Sequence, residues 1–308
     1  MIENSSYDFN LIQQVRKYNA LVKTGPFFYN ISSSFHAISQ NLATLYSDQI
    51  YLISDTSDIF IDFYVSIDHP SYFRSCFYKQ SQFYLDGKLV FNPFPFHHST
   101  AMLEWGMNWC ISSQIHTYLI IHAAVVEKNG FAAVLPAPPG SGKSTLCASL
   151  VQEGWRLLSD ELTLINLTTA DAVPVPRPIG LKKQSIDIIK QRYPEAVFGI
   201  LSSDTLKGSV CHLKPPSESV KLQFEECPIG WIIFPKYEAG ANTELVAKSK
   251  GQTFMEIANN AFNYSVLGVE GFDLLIKVVD RADCFSFKYS NLDEAIAVFE
   301  QLEAPCEF

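Results

Sequence analysis

Long uncharged apolar runs are missing from this sequence, and so are basic runs, CxxC pairs and low-complexity tracts. No apolar stretch approaches the roughly 20 residues that a helix needs to cross a bilayer, so no membrane partner is expected. Met1-Ile2-Glu3-Asn4-Ser5 carries an acid and polar groups where a secretory leader would carry a basic flank and an apolar stretch. The formal net charge is −9 and Lys and Arg are scattered. Nucleic-acid binders neutralise phosphates with grouped cations, so that partner class is disfavoured. Cysteines 76, 110, 147, 211, 227, 284 and 306 show neither zinc-finger spacing nor pairing. They read as reduced thiols, and the cytoplasm is the expected location. Charged residues make up only 18%, but 47% of the 308 residues are hydrophobic, enough to build one large or two ordinary domains.

What is abundant is aromatic: 23 Phe and 14 Tyr, many of them before residue 120. Such side chains suit a pleated, half-buried surface. Short strands are expected at Tyr51-Leu52-Ile53, Phe60–Val65 and Gln82–Leu85, and Asp86-Gly87 is a two-residue hairpin signal. Residues 99–115 predict a helix that Ser99 can cap. Leu103, Met107, Cys110 and Ile111 lie on its apolar face, with Trp105 and Trp109 as aromatic core and Glu104 and Asn108 as a polar flank. Residues 1–116 therefore form a β-rich N-terminal region ending in a helix.

At Tyr118 the pattern changes. An apolar strand to Val126, the turn Asn129-Gly130, a strand from Phe131 to Leu135, a helix from about Lys143 to Glu153 and a strand from Trp155 follow in turn. Strand, loop, helix, strand is the order a βαβ unit requires. Further on, Pro174, Pro176 and Pro178 predict an extended segment, and Lys182–Tyr193 a helix. Ile229–Phe234 and Leu274–Val279 read as buried strands, and Asn291 opens a closing helix.

The chemistry gathers in Ala137-Pro138-Pro139-Gly140-Ser141-Gly142-Lys143-Ser144-Thr145. A phosphate-binding loop wraps backbone N–H groups around phosphates at a helix N-terminus. Gly140 and Gly142 allow the close approach, Lys143 neutralises the β and γ phosphates, and the Ser144 hydroxyl ligates Mg²⁺. Pro139, Ser141 and Thr145 complete the nucleotide contacts. Ala137 stands where such loops usually begin with glycine. Asp160-Glu161 follows an apolar strand, at whose C-terminal end ligands bind in open α/β sheets. One carboxylate there can serve Mg²⁺ and the other can accept a proton from an attacking hydroxyl. His122 interrupts the apolar run Leu119–Ala124 and, if it faces the site, would orient Asp160.

His122, the glycine-rich loop and Gly154-Trp155-Arg156-Leu157-Leu158-Ser159-Asp160-Glu161 together resemble the HPr kinase/phosphorylase group, and most closely HPr-kinase-related kinase A. Glu104-Trp105-Gly106, Pro176-Arg177-Pro178, Lys207-Gly208, Asn263-Tyr264 and Tyr289–Ala295 are similar too, so the resemblance runs from about residue 50 onward. It implies an α/β fold over 117–308: a P-loop kinase core of the HPr kinase/carboxykinase type with a mixed sheet. It also implies ATP and Mg²⁺ as cofactors, a serine on a peptide or small protein as acceptor, and Asp160 as general base. Lys143 would be the phosphate clamp, Ser144 and Glu161 the metal side, and His122 the group that tunes the base and couples turnover to pH near neutrality. The family's Glu-Ile-Arg-Gly segment is represented only by Pro176-Arg177-Pro178-Ile179-Gly180, which keeps the arginine and loses the acid. This puts the reverse reaction, HPr as substrate and the hexamer in question. Arg177 and Lys182 are offered as cations for phosphate or acceptor, and Lys207 similarly. A nucleotide-sensing protein without kinase activity and a kinase of a small hydroxylated metabolite stay open, as does the oligomeric state.

Overall fold

In a computed structural model, which describes residues 11–13, 15, 19–51, 59–70 and 79–305, the chain folds as two units. One takes the chain up to Ser113 together with Gly180–Lys214, and the other takes Gln114–Ile179 and the chain from Pro215 onward. The sequence division at 116/117 kept residues 180–214 in the second region, whereas here they cluster with the first.

The first unit is built on β1 (Ala20–Thr24), β2 (Phe27–Ser33), β3 (Ile50–Tyr51), β4 (Phe63–Asp68), β5 (Gln80–Leu85), β6 (Lys88–Leu89) and β7 (Phe94–Pro95). Their sheet order is β3-β1-β2-β4-β5-β6, with β7 on β5. Alternation decides the faces: Phe27, Tyr29 and Ile31 on β2 are buried while their neighbours are half-exposed. Asp86 and Gly87 both take positive φ (51° and 72°), the geometry of a tight hairpin turn. The strand expected from Phe60 begins at Phe63, and the Asp62 carboxylate instead accepts from the Phe28 N–H at 2.8 Å. Leu52, Ile53, Cys76 and Cys306 lie outside the described residues.

Helix Ser99–Gln114 forms, with Leu103, Met107, Cys110 and Ile111 buried as their spacing predicts. Its polar flank needs correction. Glu104 is buried and accepts from Tyr46 Oη at 2.6 Å, while Trp105, 42% exposed, stacks on Phe91. A partner hydroxyl lets the carboxyl go inside, and a large aromatic is the cheaper group to leave at the rim.

In the second unit β8 (Tyr118–Lys128) turns at Asn129-Gly130, both with positive φ, into β9 (Phe131–Pro136). After helix Lys143–Gln152, Gly154 takes φ 96° and releases the chain into β10 (Arg156–Ser159), β11 (Leu162–Asn166) and β12 (Ala172–Val173). The chain then leaves for the first unit through β13 (Ile179–Lys182), helix Gln184–Arg192, β14 (Ser202–Thr205) and β15 (Gly208–Leu213). It returns for β16 (Ile229–Tyr237), β17 (Glu244–Ala247), helices Lys250–Asn260, Tyr264–Leu267 and Val269–Arg281, β18 (Asp283–Tyr289) and helix Leu292–Glu300.

The sheet order is β12-β11-β8-β9-β16-β18-β17, with β10 on β8. β8 is antiparallel to both β9 and β10, so those two run the same way with β8 between them. β16 is parallel to β9, and β18 to β16. The C-terminal ends of β9, β10, β16 and β18 therefore meet at one edge of a mixed sheet. Beneath it Ile121, Val125, Val134 and Ile232 pack with Leu275 and Val278. Those last two residues overturn the strand expected at Leu274–Val279: the segment is helix, burying Gly271, Leu274, Leu275, Val278 and Val279 at helical spacing.

Candidate functional site

β9 ends at Pro136, paired with Ala123, so the glycine-rich loop leaves the sheet beside His122. Gly140 and Gly142 take φ of 88° and 87°, a region that residues with a Cβ enter only under strain. Between them the chain folds back, the Ser141 N–H donating to Pro138 O at 3.3 Å. Ser141 Oγ is buried and has no hydrogen-bond partner among the described residues. The helix opens at Lys143, and its first intrahelical bond runs from Leu146 N–H to Gly142 O at 3.0 Å. Lys143, Ser144 and Thr145 thus occupy the first turn, where N–H groups lack an intrahelical acceptor and point at whatever lies before the helix.

The two acids sit in a break between strands. Ser159 pairs with Val125 and Leu162 with His122, leaving Asp160 and Glu161 in the gap of an otherwise continuous ladder along β8. A register shift at Leu158 precedes them. Adjacent residues within a strand point to opposite faces, a constraint that residues outside a strand escape. Asp160 is 8% exposed and its Oδ2 accepts from Ser144 Oγ at 3.4 Å, while Glu161 is half-buried.

Lys143, also 8% exposed, brings its Nζ within 3.4 Å of His122 Nε2. An ammonium can only donate, so a hydrogen bond there requires Nε2 to be the acceptor. His122 was expected to orient Asp160, and one contact of its Nε2 is with the lysine. The ring is edged by Phe262 at 6.1 Å. That phenylalanine is held because its N–H donates to Ile120 O at 2.8 Å. Asn263, 1% exposed, accepts from Ile120 N–H at 2.9 Å and donates to Tyr118 O at 2.8 Å. The segment 261–263 so completes the edge of β8 that β9 leaves uncovered.

Arg177, offered as a cation for phosphate or acceptor, is buried. Its N–H donates to Val175 O, and Val175 N–H donates to Leu158 O at 2.7 Å, tying the proline-rich stretch to β10 two residues before Asp160. Lys182 and Lys207 belong to the first unit. Sequence reasoning passed over Tyr237 and quoted Tyr289 only within the Tyr289–Ala295 likeness, with no role; the two end β16 and β18. The Tyr237 N–H donates to Ser141 O at 2.8 Å and Tyr289 Oη to Gly142 O at 3.2 Å. The signal available was positional: both residues close parallel strands at the edge where the loop lies.

The donor chemistry suits phosphate and a hard cation. Ser144 Oγ and Asp160 Oδ2 are oxygen donors, and Mg²⁺ typically takes one or two protein oxygens while keeping water and substrate phosphate. Among the described residues no group of three or more His, Cys, Asp or Glu gathers as a metal cage, and no helix is long and apolar enough to cross a membrane. Cys147, buried on the first turns of the same helix, has its thiol pushed well above the usual range by burial and by Asp160, with Lys143 opposing. It is therefore a packed thiol and not a nucleophile. Neither protein-family models nor curated proteins yield a match to this chain.

Proposed function

We propose that the chain is an ATP-dependent phosphotransferase that moves the γ-phosphoryl group to a hydroxyl, a serine of a peptide or small protein being the acceptor class. The observation that carries this reading is the Ser144–Asp160 hydrogen bond. It ties the first helical turn after the glycine-rich loop to a nearly buried carboxylate just past β10, which supports assigning phosphate binding and proton acceptance to one edge of the sheet. The resemblance to HPr-kinase-related kinase A agrees with these roles.

Phosphoryl transfer asks little covalent chemistry of a protein; it needs alignment and charge neutralisation. The loop N–H groups and Lys143 would hold the β and γ phosphates, and His122, an acceptor toward Lys143 Nζ, steers that ammonium. Mg²⁺, held by Ser144 with Asp160 and Glu161 near it, would supply countercharge to the phosphates. Asp160 accepts the proton of the acceptor hydroxyl as its oxygen bonds to the γ-phosphorus and the bond to the β–γ bridging oxygen breaks, releasing ADP.

The test is transfer of label from γ-labelled ATP to a peptide mixture or host lysate, with Lys143→Ala and Asp160→Asn alongside. Label that appears with the wild type and vanishes in both variants is the expected result. Transfer by Asp160→Asn at the wild-type rate removes the base assignment. Nucleotide binding with no transfer to any acceptor moves the reading to a nucleotide sensor.

A further inference from the structure

Two neighbouring peptide planes of the glycine-rich loop are tethered from behind. The Ser141 carbonyl accepts from the Tyr237 N–H at 2.8 Å, and the Gly142 carbonyl accepts from Tyr289 Oη at 3.2 Å. In a trans peptide the C=O and the following N–H point in opposite directions. Holding the first carbonyl toward the strand ends therefore turns the Gly142 N–H away from them, and holding the second does the same for the Lys143 N–H. The Gly142 carbonyl also accepts from Leu146 N–H at 3.0 Å, so both of its acceptor positions are filled.

The fit is close on the side where the tyrosines approach. A Cβ on Gly142 would stand 2.5 Å from Tyr289 Oη and 2.9 Å from Tyr237 Cβ, so only glycine admits both strand ends. The Tyr289 ring is itself fixed, stacked on Phe287 at 5.2 Å and edged by Tyr237 at 5.8 Å. Burial first, then the neighbouring Tyr237, lifts its hydroxyl above the usual phenol range, so it remains a donor at any physiological pH.

We propose that Tyr289 is a positioning residue for polyphosphate: its hydroxyl holds the Gly142 carbonyl so that the Gly142 and Lys143 N–H groups arrive already aimed at the anion. The proposal rests on the phosphate-binding reading given above. Preorganised donors bind without paying to reorder the loop, so loss of the tether appears as lost affinity for phosphate itself and not for the nucleoside.

Titration calorimetry of wild type, Tyr289→Phe and Lys143→Ala with inorganic tripolyphosphate and with ATP tests it. Tyr289→Phe keeps the ring and removes only the donor. It is expected to weaken both ligands by the same factor, about 3- to 10-fold, with cooperative melting retained. Unchanged affinities with a lower melting temperature, or a loss confined to ATP, overturn the proposal and leave the phosphate reading standing. If wild type binds tripolyphosphate no better than Lys143→Ala, the phosphate reading falls and takes the proposal with it. Should the phenylalanine variant fail to fold, amide NMR of the wild type decides: the Gly142 and Lys143 N–H signals are expected to move on adding tripolyphosphate, and signals that stay in place overturn the proposal.

Discussion

Ser144 Oγ donates to Asp160 Oδ2 across 3.4 Å, joining the first turn of helix Lys143–Gln152 to the residue that follows β10. Asparagine at 160 keeps an oxygen to accept that hydroxyl but loses the basic carboxylate. Asp160→Asn is therefore expected to leave the nucleotide Kd within a few-fold of wild type while transfer falls by about 10²- to 10⁴-fold, the usual worth of a positioned general base. Equal losses in binding and turnover would assign Asp160 to ligand binding instead.

Ser144→Ala should separate metal from nucleotide. On the proposed reading the serine hydroxyl is the loop's metal-side group, so its removal is expected to weaken Mg·ATP by about 10-fold and metal-free ATP hardly at all. Paired titrations with and without Mg²⁺ read this directly. Equal weakening in both would make Ser144 a phosphate contact.

How far the sequence carried these expectations depends on whether the cause was local. Asp86-Gly87 and Asn129-Gly130 were legible because two successive positive φ values need such residues wherever they occur. The glycine-rich loop between a strand and a helix was legible for the same reason, and so was the Asn291 cap, whose side chain accepts from Asp293 and Glu294 N–H. Leu274–Val279 misled because a short apolar run fits both a buried strand and a helix face; only the wider spacing 271, 274, 275, 278, 279 is that of a helix. Tyr289 was beyond reach, since its partner Gly142 lies 147 residues away and only the parallel pairing of β16 with β9 and β18 brings them together. The return of 180–214 to the first unit is likewise a matter of tertiary contacts with no local marker.

Asn263 replaces a strand along part of β8, satisfying one N–H and one C=O that the sheet leaves open. Asn263→Ala would strand both groups in a buried place, each at about 1–3 kcal/mol. Destabilisation of about 2–4 kcal/mol is expected in urea unfolding monitored on the second unit. His122 sits on the same strand two residues from Ile120, so nucleotide affinity should weaken as well, an effect that a purely local loss of stability would not produce under native conditions.

The thiol of Cys227 is pushed up to about 12, chiefly by burial and then by Glu127 and Asp171, with Arg156 opposing. The folded state keeps its proton over the interval in which the unfolded chain releases it. The sign follows: stability is complete below about 9, the ordinary value, and is lost as pH rises toward about 12. Denaturant midpoints should fall over that alkaline range, and Cys227→Ala should flatten the decline. Alkylation of this thiol in the native state at pH 8 is expected to be slow and to accelerate only on unfolding.

Asn291 begins helix Leu292–Glu300 immediately after Tyr289 and Ser290, its side chain accepting from Asp293 N–H at 2.8 Å and Glu294 N–H at 3.3 Å. The helix is anchored independently, by Phe299 packing edge-on against both Trp155 and Phe287. Loss of the cap should therefore fray the first turn without releasing the helix. Asn291→Ala is expected to cost about 1 kcal/mol, and Asn291→Ser to restore most of it. Because Ser290 Oγ separately holds Ala241 O at 2.7 Å, the end of β18 stays in place and tripolyphosphate affinity should not change. A capping variant that weakened tripolyphosphate as strongly as Tyr289→Phe would mean that the tyrosine is held by the helix start and not by its own ring contacts with Phe287 and Tyr237.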